Sequence, residues 1–179
     1  MTPSPEAILP WTHAIADMPS SARQYTQTAT PAECAAIATE LGLAACHSLT
    51  AAYTIRAIGG GRYKLTGTLE AKLTQSCIIT LEPMETEAKI PVAVEFSPNA
   101  DQPPQASAEG EDFEVLSLPD LEPIENAGLN VGRVMLEALA AGIDLYPKKP
   151  DATFAWNDPR GTATEIHPFA ALAKLKPKD

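Results

Sequence analysis

From Arg62 to Thr74 the chain alternates without a break. Tyr63, Leu65, Gly67, Leu69, Ala71 and Leu73 fall on one parity; Arg62, Lys64, Thr66, Thr68, Glu70, Lys72 and Thr74 fall on the other. A period of two is that of a β-strand with one face buried and one in water. The same period runs through Leu49, Ala51, Tyr53, Ile55 and Ala57, set against Thr50, Ala52, Thr54 and Arg56. It returns from Lys89 to Phe96, where Pro91 restricts the strand to an edge or to a position without a ladder bond. Gly59-Gly60-Gly61 marks a turn; a phosphate-cradling loop would need a helix after it, and a strand follows instead. Gly67 inside its run signals a bulge or a close crossing. Cys77 to Leu81 is expected to continue or re-enter the sheet and to be buried in part, since Ile78, Ile79 and Leu81 are apolar on both parities, and Glu82-Pro83 closes it. Long strands joined by short turns predict an antiparallel meander.

Two helices flank these strands. Thr30-Pro31-Ala32-Glu33 reads as a helix start, with Thr30 at the N-cap, Pro31 at the first helical position and Glu33 completing a capping box. Cys34, Ile37 and Leu41 share one face, and Gly42 is placed to stop the helix in a left-handed conformation. A second helix is predicted from Leu129 to Ile143, capped by Asn126 or Asn130. Its stripe is Val131, Val134, Met135, Ala138, Leu139 and Gly142, and Arg133 and Glu137 stand one turn apart. Short strands are expected at Ile8–Ile15, Phe113–Leu118 and Leu121–Ile124, and a short helix at Ala170–Lys176.

The fold class these elements predict is α+β: an antiparallel meander curling toward a small open barrel, with two helices packed on its apolar face. The expected core is Leu65, Leu69, Leu73, Val92, Val94, Phe96, Val134, Met135 and Leu139. Residues 1–7 are expected to be a flexible N-terminus, 8–155 the domain with a Pro-rich acidic loop at 97–112, and 156–179 a C-terminal tail. A chain of 179 residues can bury such a core without disulfides or metal. Cys34, Cys46 and Cys77 form no CxxC, and His13, His47 and His167 show no ligand spacing, so no metal, cofactor or catalytic set is expected. No run approaches the length of a membrane span, and the first residues lack signal-peptide character, so the expected location is cytoplasmic.

Charge is distributed unevenly. The net charge is −10, which argues against a general grip on phosphate backbones. From Asp101 to Glu125 the chain carries Asp101, Glu109, Glu111, Asp112, Glu114, Asp120, Glu122 and Glu125 and no Lys or Arg. That stretch is a candidate docking surface for a basic partner. Against it, Arg62, Lys64 and Lys72 share the wet parity of one strand and, with Lys148 and Lys149, form a candidate RNA-contact strip.

The order of several elements resembles the bacterial YceD family. Tyr63-x-Leu-x-Gly-x-Leu69 leads to Cys77-Ile78-Ile79-Thr80-Leu81-Glu82-Pro83. A strand ending Val94-Glu95-Phe96 precedes the acidic loop and Asp120-Leu121-Glu122-Pro123-Ile124. A helix then runs into Asp144-Leu145-Tyr146-Pro147-Lys148-Lys149-Pro150. The resemblance covers about residues 8–155 and implies a cytosolic, non-enzymatic protein needed for accumulation of large-subunit (23S) ribosomal RNA. Many members carry Cys-x-Arg-Cys where this chain has Cys77-Ile78-Ile79-Thr80. A lone Cys77 cannot make half a zinc site or a redox pair, and it is read as structural. The expected partner is a basic large-subunit ribosomal protein or rRNA, with no membrane and no small-molecule substrate. The alternative is an adaptor or scaffold with a non-ribosomal partner.

Overall fold

The computed structural model describes residues 8–18, 21–98, 100 and 120–154. The expected N-terminal segment 1–7, most of the 97–112 loop, the Phe113–Leu118 strand, the tail 156–179 and its Ala170–Lys176 helix lie outside the described residues. In chain order the elements are β1 (Thr12–Ala14), a 3-10 turn (Ile15–Asp17), β2 (Arg23–Thr28), α1 (Pro31–Glu40), β3 (Ala45–Gly59), β4 (Arg62–Ser76), β5 (Pro83–Ser97), β6 (Asp120–Pro123), β7 (Gly128–Asn130) and α2 (Val131–Gly142).

The fold is α+β. A five-stranded sheet has the order β2-β3-β4-β5-β6, and β1 pairs with β7 in a small second sheet. All pairings are antiparallel except β5 with β6. Among the described residues β2 and β6 end the strand order, and no closed barrel is formed. Leu69 stands opposite Ala51 on one side and Ile90 on the other, so the apolar parities of three strands meet on one face. Every residue of the expected core is buried there. Leu9, Trp11 and Leu129 join them, with α1 packed on β3 and α2 on β5.

The local signals for α1 act as read. The Thr30 hydroxyl accepts from the Glu33 N–H, Glu33 returns a bond to the Thr30 N–H, and Gly42 takes φ +64°. Of the two cap candidates for α2, Asn130 serves: its side-chain oxygen accepts from the Arg133 N–H at 3.1 Å. Asn126 instead takes φ +50° beside Ala127 at +56°, in a tight turn closed by the Gly128 N–H on the Glu125 carbonyl. Leu129 therefore belongs to β7, and α2 begins two residues later than expected. Gly132 lets the Leu9–Trp11 segment lie directly on α2, since a Cβ there would meet the Leu9 carbonyl.

Several details refine or depart from the sequence reading. Residues 77–81 do not continue the sheet; Cys77 donates to Glu82 O, Leu81 donates to Cys77 O, and Leu81 takes φ +59°, a turn. Cys77 is buried in it, but Ile78 and Leu81 point outward at 50% and 78% exposure. Pro83 opens β5 rather than closing a strand, because Met84, Thr86 and Ala88 continue the inward parity of Ile90. Gly67 marks a close approach and no bulge: it pairs in register with Tyr53 and Val92, where a Cβ would collide with Tyr53 and the Ala52 carbonyl. The register shifts fall at Cys46/Ser48 and Ala57/Gly59 instead. The Ile8–Ile15 strand is shorter than expected, and β2, where only Tyr25 and Gln27 are half-buried, carries no apolar alternation to announce it.

Candidate partner-binding surface

The residues of the candidate basic strip lie on the outer face of the sheet and in the loop after α2. Lys64 meets Glu95 at 3.6 Å and Lys72 meets Glu87 at 3.3 Å, each pair directly opposed across β4 and β5. Glu70 and Lys89 repeat the arrangement in reverse at 2.7 Å, which lowers the Glu70 carboxyl and raises the Lys89 ammonium through their hydrogen bond and mutual charge. Lys149 donates to Glu82 at 2.6 Å and holds that carboxyl down in the same way. Arg62 lies exposed at the β3–β4 turn and Lys148 lies exposed beyond α2. The shared parity thus places three basic residues on one face, but β5 brings a carboxylate to each lysine.

The candidate acidic surface is assembled differently. Asp101, Glu109, Glu111, Asp112 and Glu114 lie outside the described residues. Asp120 and Glu122 stand on β6, next to Val94 and Phe96 of β5. Arg133 of α2 reaches Glu122 at 3.5 Å, Glu125 at 3.7 Å and Glu137 at 2.9 Å. One guanidinium therefore faces three carboxylates, with Asp120 close enough to act on Glu122. Burial raises the Glu122 carboxyl above its ordinary range; Glu137, Asp120 and Glu125 push the same way and only Arg133 opposes them. The corner keeps a negative excess. Sequence reading missed Glu137 and Arg133 as members of this site. Their one-turn spacing was visible, but the approach of β6 to α2 was not.

A groove of about 650 Å³ runs from this corner between α2 and β5. Val94, Ala138 and Ala141 lie along it, and Asp120, Glu122 and Glu137 rim it.

Two further clusters bear on chemistry. His13 Nε2 and the Tyr53 hydroxyl share a 2.8 Å hydrogen bond, and Gln27 donates to the same oxygen at 3.0 Å. Tyr25 stacks on Tyr53 and Arg23 lies over Tyr25. Burial, and secondarily Arg23, lowers the His13 imidazole, while burial pushes the Tyr53 phenol up to about 12. The two bonds to the Tyr53 oxygen tie β1 and β2 to β3. In the second cluster the Lys149 N–H donates to the Cys77 sulfur at 3.4 Å. The polar groups of Thr80 first, and then the Lys149 N–H, favour the thiolate and bring the Cys77 thiol down to about 6. The Lys149 N–H on Cys77 and the Ile78 N–H on Pro147 O tie the turn to the segment after α2. Cys46, by contrast, is pushed up to about 12 by burial and by Cys34 beside it.

Among the described residues no group of three or more His, Cys, Asp or Glu is arranged to hold a metal ion. No described helix is long and apolar enough to cross a membrane. No family model, curated protein or solved structure matches the chain.

Proposed function

We propose that this chain is a YceD-like, non-enzymatic, cytoplasmic ribosome-biogenesis factor that supports accumulation of large-subunit rRNA by binding a basic ribosomal protein. The observation that carries the choice of partner is the sign of the two surfaces. The lysines on the outer sheet face are each met by a carboxylate, whereas Glu122, Glu125 and Glu137 share one arginine. A surface with uncompensated negative charge attracts a polycation over a distance of roughly a Debye length, about 8 Å at physiological salt, and repels a phosphate backbone.

Depletion of the protein tests the function: the ratio of large- to small-subunit rRNA falls if the proposal holds, and an unchanged ratio removes it. A low-salt pull-down tests the partner. Capture of a basic large-subunit protein after nuclease treatment supports the protein-binding reading. Capture of rRNA that nuclease abolishes and salt releases steeply replaces it with direct RNA contact.

A further inference from the structure

β6 pairs with β5 only at Val94–Ser97, so the outer edge of β5 from Pro83 to Ala93 has no strand beside it among the described residues. The groups this edge presents follow from one bond. The Ile124 N–H donates to the Ser97 carbonyl at 3.2 Å, which fixes Ser97 as outward-facing. In a strand the N–H and C=O of one residue share an edge and alternate residues share it too. Ala93, Pro91, Lys89, Glu87 and Glu85 therefore present their backbone outward. Pro91, which has no N–H to present, sits at an outward position, where it costs the β4–β5 ladder nothing.

We propose that this edge and the acidic groove beside it take an extended basic segment of a partner protein as an added strand. The inference deepens the proposed function and rests on its choice of a basic protein. Strand addition supplies backbone bonds along Glu85–Ala93, and alternate side chains of the incoming strand enter the groove. Apolar residues fit over Val94, Ala138 and Ala141, and cations fit at the rim of Asp120, Glu122 and Glu137. A second copy is a poor occupant, because edge-to-edge pairing would bring two acidic grooves together.

The test uses the full chain and an end-capped peptide of about eight residues alternating Lys and Val, long enough to match the open edge. One control is oligolysine of equal length; the other is the same alternating peptide N-methylated on alternate residues. Amide exchange is followed by NMR. The expected result is slowed exchange at Glu85, Glu87, Lys89 and Ala93 on binding, with the N-methylated peptide at least about tenfold weaker. Ala141→Arg, at an exposed helix position, fills the groove with a like charge and weakens the alternating peptide by about tenfold with the melting temperature unchanged. Ala93→Pro removes one outward donor and weakens binding as well.

Equal binding of the alternating peptide and either control, oligolysine or the N-methylated peptide, overturns strand addition, as does failure of the alternating peptide to bind. So does an edge whose outward amides are already slow in the free chain, because the chain then fills it, and so does dimerisation through β5 in sedimentation. If a basic ribosomal protein is captured equally by the Ala141→Arg variant, this inference falls and the proposed function stands. If no ribosomal protein is captured while the peptide still orders the edge, the function falls and the docking mode stands.

Discussion

On the outer face of the sheet Lys64 stands across from Glu95, Glu70 from Lys89 and Lys72 from Glu87. At the corner of β6 and α2, Arg133 is, among the described residues, the one cation paired with Glu122, Glu125 and Glu137. Both regions are charged, but only the second leaves a field. Cross-strand pairs of opposite sign stabilise a sheet slightly and project little potential beyond it. Carboxylates crowded around one guanidinium keep their excess and concentrate it over a groove. A count of lysines on one strand parity therefore says less about partners than the charges opposite them.

The largest effect tests the two-sided character of β4. Leu69 is fully buried, and Leu69→Ala should cost about 2–5 kcal/mol by urea denaturation. A cost below about 0.5 kcal/mol would break the assignment of faces. Next is the corner. Arg133→Ala removes the counter-charge, so a basic peptide should bind about three- to tenfold tighter at low salt, a gain that disappears at high salt. Unchanged affinity would mean that the carboxylates do not meet the peptide.

Two titrations of opposite sign sharpen the comparison further. Glu122 is raised above 4.5 in the fold, so its contribution to stability is fully present below that value and is lost as pH rises through its folded pKa. Glu122→Gln should flatten the urea-midpoint curve just above pH 4.5. His13 is lowered below 6.5, so its contribution is fully present above 6.5 and is lost as pH falls through the window between 6.5 and its folded pKa. The His13 imidazole should titrate below pH 6.5 by NMR, and His13→Gln should remove the loss. The smallest effect belongs to the outer face. Lys72→Ala breaks an exposed pair and should shift the melting temperature by less than about a degree. A larger shift would show that this face has structural weight the geometry does not suggest.

Much of the core was legible because burial on a sheet has a period. Leu65, Leu69 and Leu73 announce their side of β4 in sequence, as Thr30 and Glu33 announce the start of α1. The turn at Cys77 was not legible: apolar Ile78 and Leu81 resemble strand residues until the Cys77–Glu82 and Leu81–Cys77 bonds close the turn. Nor was β2, where Tyr25 shares its side of the strand with the polar residues Arg23 and Gln27. Of the site, the negative sign was legible in the run from Asp101 to Glu125. Its assembly was not, because Glu122, Glu125, Arg133 and Glu137 meet only when β6 is laid beside β5 and α2 is packed over it.

By itself the sequence determined which residues of β3, β4 and the second half of β5 face inward, where α1 begins, and that the chain carries excess negative charge. Those properties depend on local geometry and composition: two residues per strand repeat, a hydroxyl within reach of an N–H three residues on, a sum of charges. Only the tertiary structure decided which charges are cancelled and which edge, among the described residues, has no strand beside it. Cross-strand register sets the first, and register comes from how whole strands align in space, so the lysines of β4 found carboxylates on β5, while among the described residues the outer edge of β5 from Pro83 to Ala93 found no partner.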